Sequence, residues 1–207
     1  MLGPSSERGD DFIEFKLAQF AWEEERWVLD FPASALFAIG FLGLAGLGSA
    51  VARLADTSDS RRSLVASSFV LGGGFGAASQ LLWTGAKPIA TSTRYCDCGL
   101  LAEEIMSRTM ILETVGGIQT WLISGALALL AVGALLVATM PQRALPQWWR
   151  RLNVVIAALS VIGVLLALFD AYPLDVLLTL LIAGILLPIW AIWLARRPAD
   201  FWTPSIR

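Results

Sequence analysis

The run TVGGIQTWLISGALALLAVGALLVATMPQ, from Thr114 to Gln142, decides the class of this chain, because 29 consecutive residues carry no charge. A helix rises about 1.5 Å per residue, so about 20 apolar residues cross the roughly 30 Å hydrocarbon layer of a bilayer. Four more uncharged blocks pass the same test: Phe31–Ala52, Ser63–Ala86, Leu152–Phe169 and Val176–Ala195. Lipid offers no partner to backbone N–H and C=O groups, which makes helices the expected form of all five. Over 207 residues the chain is 57% hydrophobic and only 15% charged, with a mean hydropathy of +0.68, which excludes an ordinary water-soluble domain. The expected fold is an all-α integral membrane protein, a bundle of five transmembrane helices at about 31–53, 63–86, 114–140, 152–171 and 175–195. An acidic N-terminal segment, 1–30, precedes this domain of residues 31–207, and an outer connection, 87–113, joins its second and third spans.

A sixth span over Phe12–Phe31 would place Glu14, Lys16, Glu23, Glu24, Glu25, Arg26 and Asp30 in hydrocarbon, at prohibitive cost. Ile13, Phe15 and Leu17 alternate as in a strand, whereas Ile13, Leu17, Phe20, Trp27 and Phe31 share one helical face, interrupted by Glu24; a helix at the interface or packed on a partner is expected, with an ordered tail covering its own bundle as the alternative. A second helical extension is expected from about Leu100 to Glu113, leading into the third span. Its apolar side, Ala102, Ile105, Met106, Thr109 and Leu112, should dock on something. Met1–Asp11 lacks the basic start and short apolar core of a cleavable leader, so the N-terminus is expected to be retained.

Arginine and lysine set orientation when loops are short. With five spans, Arg53, Arg61, Arg62, Arg143, Arg150, Arg151, Arg196, Arg197 and Arg207 fall on one side, nine positive residues in all. The other side receives Arg8, Lys16, Arg26, Lys87, Arg94 and Arg108, together with 14 of the 17 acidic residues. The expectation is a bacterial inner (plasma) membrane protein with its N-terminus outside and its C-terminus cytoplasmic. Trp27, Trp83, Trp148, Trp149, Trp193 and Trp202 sit near span ends and read as headgroup anchors.

Small residues mark where helices approach, because van der Waals packing drives association once both surfaces lie in lipid. Ser68, Gly72, Gly76 and Gln80 recur every four residues on the second span, and Gly43 and Gly46, with Ala45, Ser49 and Ala50, supply small residues on the first. These six, Gly43, Gly46, Ser68, Gly72, Gly76 and Gln80, are the expected helix-packing residues. They predict a tight hairpin of the two opening spans, with homodimerisation as the rival explanation. Pro188 should kink the fifth span.

The only cysteines lie in Arg94-Tyr-Cys-Asp-Cys-Gly99. A structural zinc centre takes four ligands, and the chain has no histidine to complete one. A thiol-disulfide catalyst normally separates its cysteines by two residues, whereas Cys96 and Cys98 are separated by one. A structural role is expected instead, with the thiols free, bonded to each other, or bonded to another subunit. The absence of histidine also excludes histidine-ligated haem or chlorophyll and serine-histidine catalysis within this chain. No phosphate loop or dinucleotide fingerprint is present, so neither a cofactor nor catalysis is expected.

The function that follows is a non-catalytic multi-pass membrane protein, an accessory or scaffold subunit of a larger complex. Its expected partners are membrane lipids and other membrane-protein subunits or further copies of itself, without nucleic acid. The alternative is an oligomeric transporter or channel for a small molecule or ion, disfavoured because no charged group lies deep in a span. A thiol or metal protein using Cys96 and Cys98 ranks third.

Overall fold

The computed structural model describes residues 9–54, 58–92, 102–140, 146–169 and 172–196. The described residues form helices α1 (Gly9–Leu54), α2 (Asp59–Thr91), α3 (Ala102–Ala138), α4 (Gln147–Leu168), α5 (Tyr172–Leu181) and α6 (Leu187–Ala195). A five-residue π-helical stretch, Ile182–Leu186, joins α5 to α6. Five helical segments are long and apolar enough to cross a membrane, the fifth being Leu177–Ala195. The protein is an all-α, multi-pass membrane bundle.

Helix length separates the opening helices from the rest. At about 1.5 Å per residue, the 46 residues of α1 reach about 69 Å, the 33 of α2 about 50 Å and the 37 of α3 about 55 Å. The 22 residues of α4 reach about 33 Å, close to one hydrocarbon thickness. The N-terminal segment and the first span form one helix, since Pro32 is the only strong breaker between them. Proline removes a single donor, and Pro32 is exposed. Helix α2 likewise runs past Ala86 to include Lys87 and Pro88. The extension ahead of the third span begins at Ala102.

The chain divides into two compact units. The first, here the charged unit, comprises Met1–Leu36 and Gln80–Gln119. Its described part brings together the N-terminal portion of α1, the end of α2 and the start of α3. Phe20, Ala90 and Ile105 are buried there. Ile105 and Thr109 turn inward from the predicted apolar side of the α3 extension, whereas Ala102 and Met106 are exposed.

The second, the apolar unit, comprises Phe37–Ser79 and Thr120–Arg207. Its core includes Phe41, Leu44, Val51, Val65, Phe69, Leu127, Leu130, Trp149, Ile156, Ile182, Trp190 and Leu194. Helix α3 is its most enclosed element, with half of its most apolar window buried against 17% for the fifth span. Around Pro188 the helix changes its hydrogen-bond pattern. Proline cannot donate to residue 184 and its ring crowds that carbonyl, and the π-helical stretch just before it resets the register, with the Leu187 N–H donating to Ile182 O.

Candidate functional site

Lys87 is the most enclosed charge among the described residues. It sits one residue beyond the uncharged block of α2, and its side chain retains 5% exposure. Its Nζ donates to Asp30 Oδ2 at 2.5 Å and to the carboxylate of Glu23, both on α1. Glu23 and Asp30 are seven residues apart, two helical turns, so one α1 face presents both acids to a single ammonium. Burying an ammonium without such partners costs several kcal/mol, and two carboxylates at 18% and 36% exposure offset that cost. The Trp83 ring lies one turn before Lys87, its centroid 5.8 Å from Nζ. Arg108 of α3 donates to the Ser92 carbonyl at the end of α2 and to Glu104 Oε1 at 2.7 Å. Three helices are thus joined by two cations, each bridging between elements. An ammonium bonded to two carboxylates of one helix fixes that helix against its own.

The apolar unit is joined by different means. A Cβ at Gly73 would collide with the Phe41 carbonyl oxygen, and one at Gly76 with the Phe41 ring. Gly48 lies as closely against Phe69. Aromatic rings continue from there: Phe69 stacks on Trp190 at 5.7 Å, Trp190 on Trp149 at 5.5 Å, and Trp193 meets both Trp149 and Trp148. Asn153 Nδ2 donates to Trp149 O at 2.9 Å, while its Oδ1 accepts the Trp190 indole N–H at 3.1 Å, a buried link between α4 and α6.

The packing residues expected from sequence fall into two groups. Ser68, Gly72 and Gly76 are buried, and a Cβ at Gly72 would lie 3.2 Å from Ala126 O and 3.3 Å from Leu129 Cβ. Gln80 is half-buried. Gly43 and Gly46 are exposed, and a Cβ at either would have nothing within 4 Å; the close approaches on α1 are at Gly48 and the Phe41 backbone. Cys96 and Cys98 lie outside the described residues. Compared with protein-family models, curated proteins and solved structures, the chain matches none of them. Its function must therefore be argued from its own residues.

Sequence reasoning did not single out Glu23, Asp30, Lys87 or Asn153. The available signals were the seven-residue spacing of the two acids and the position of Lys87 at the edge of an uncharged block. Asn153 is the one amide in its span. Trp149 also departs from expectation, since it is fully buried rather than anchored among headgroups. The buried residues of α4 are Trp149, Asn153, Ile156, Ala157, Ser160 and Gly163, and that helical face carries Trp149 inward while the adjacent Trp148 is exposed.

Proposed function

We propose that this chain is a non-catalytic accessory or scaffold subunit of a larger membrane complex, with the charged unit as its docking element. The observation that carries the reading is the surface of that unit. Phe15 and Trp22 are each 52% exposed on a part of α1 that also carries Glu14, Glu23, Glu24, Glu25 and Arg26. Apolar side chains exposed on a spanning segment face lipid and require no other partner. Phe15 lies 15 residues before Asp30, about 22 Å along the helix from the last charge ahead of the span. Trp22, seven residues after Phe15 on the same helical face, lies about 12 Å from that charge, and an aromatic pair on one face outside the span suits a protein contact. The lysine and arginine bridges support the same reading, because they hold three helices together without using a reactive group.

In this reading the chain sits in a bacterial inner membrane with its N-terminus outside and its C-terminus cytoplasmic, an orientation that the excess of arginine on one side supports. The transporter alternative is weakened by direct packing of α2 on α3 at Gly72 and at Gly125, where a Cβ would lie 3.1 Å from the Phe75 ring. The test is extraction of the native protein in mild detergent, separation without denaturation, and identification of what migrates with it. A stoichiometric membrane-protein partner, lost from a Phe15→Ser, Trp22→Ser double variant that keeps its helix content, is the expected result. A lone chain or homo-oligomer that moves a solute in reconstituted vesicles overturns the proposal in favour of transport.

A further inference from the structure

The arginine-rich end of the apolar unit has a construction of its own. Arg61, in the first turn of α2, donates through Nη2 to Thr139 Oγ1 at 2.5 Å and to Leu136 O at 3.4 Å. Arg150, in the first turn of α4, donates through Nε to Ala138 O at 3.0 Å. Two guanidiniums from different helices are therefore held on the last turn of α3, Arg61 half-buried and Arg150 exposed. The carbonyl end of a helix carries roughly half a negative charge, so two cations leave an excess of more than one positive charge there. Helix α4 begins beside them with no side-chain cap and no acidic residue in its first turn, adding the positive end of its own dipole. Among the described residues this end holds Arg53, Arg61, Arg62, Arg150, Arg151 and Arg196 against one acid, Asp59. Two donors, Arg61 Nε and the indole N–H of the fully buried Trp149, are covered and lack an acceptor.

We propose that this end binds the headgroup of an anionic phospholipid, with its phosphate on the guanidiniums of Arg61 and Arg150 at the close of α3. Charge complementarity selects an anion, and the adjoining surface selects a lipid. Trp148, 46% exposed, sits at headgroup level beside Arg150 and Arg151, packed edge-on against Trp193. Along α4 from there, Val154, Val155, Ala158, Val161, Ile162 and Leu165 are all exposed, an unbroken apolar track for an acyl chain. Neither free phosphate nor an acidic peptide would use that track. Both arginines are already ordered by their carbonyl contacts, so binding loses less side-chain entropy than it would at extended surface arginines.

The test uses the full chain in detergent and native mass spectrometry, with phosphatidylglycerol and phosphatidylcholine of matched acyl chains as probes. Phosphatidylglycerol should be retained at one per chain about tenfold better than phosphatidylcholine, and millimolar inorganic phosphate should not displace it. Arg61→Gln with Arg150→Gln should erase the preference, while Arg53→Gln with Arg196→Gln, which removes the same charge, should leave it within about twofold. If the first pair does not fold, Arg150→Gln alone carries the comparison. Equal retention of the two lipids by the unaltered protein overturns the proposal, as does equal weakening by both pairs. Displacement by inorganic phosphate overturns it in favour of a soluble anion.

Discussion

The charged unit and the apolar unit are both built from long helices, yet the charged unit is fastened by buried ion pairs, whereas the apolar unit keeps its arginine bridges to one end and is fastened elsewhere by close packing. In the charged unit Lys87 reaches two carboxylates and Arg108 reaches a carbonyl and a carboxylate. In the apolar unit glycines let backbones touch, rings stack, and one amide joins α4 to α6. The difference follows from the solvent each unit meets. Near water, acids that keep part of their exposure can hold a buried ammonium without full desolvation. In lipid, apolar side chains gain nothing by leaving one apolar medium for another, so closeness of approach decides stability.

Substitutions can break this contrast. The largest effect is expected for Gly73→Leu, because the obstacle is backbone: a side chain there meets the Phe41 carbonyl and Ala45, which cannot swing aside. It should cost at least about 3 kcal/mol and abolish a cooperative unfolding transition in detergent. Gly43→Leu, with nothing within 4 Å, should leave that transition unchanged within about 0.5 kcal/mol. If Gly43→Leu also removed a homo-oligomer on a sizing column, the rival explanation for the first-span glycines would hold.

Next is Lys87→Met, which leaves Glu23 and Asp30 without their shared cation. Because Asp30 is partly solvated, the expected cost is about 2–4 kcal/mol. Faster amide hydrogen exchange should be confined to the charged unit, and equal loosening of Leu127 and Ile156 in the apolar core would show that the units do not differ in their fastening. Among the destabilising substitutions the smallest effect is expected for Asn153→Leu, about 1–2 kcal/mol, from the orphaned Trp190 indole N–H. Tryptophan fluorescence should report it, whereas unaltered emission and unfolding would mean that stacking alone holds α4 to α6.

Uncharged length made the spans legible, because the hydrocarbon layer imposes a minimum that few other folds approach. The helix ends were less legible. The N-terminal segment and first span merge through Pro32, and α2 takes in Lys87, because a helix outside lipid needs no apolar residues to continue. The glycine pattern on the second span matched close approaches at Gly72 and Gly76, but on the first span Gly48 makes the contact while Gly43 and Gly46 face outward. Several helical faces of α1 carry small residues, and periodicity does not say which of them meets a neighbour.

Five blocks without charge require lipid as solvent, and helices follow from the backbone's need for hydrogen bonds within it. Tertiary structure alone decided the partners. That Lys87 closes on Glu23 and Asp30, 64 and 57 residues away, and that Trp149 turns inward while Trp148 does not, depends on which helix faces which. Hydropathy is a property of each residue, but contact between faces is a property of pairs, and only the packed bundle specifies the pairs.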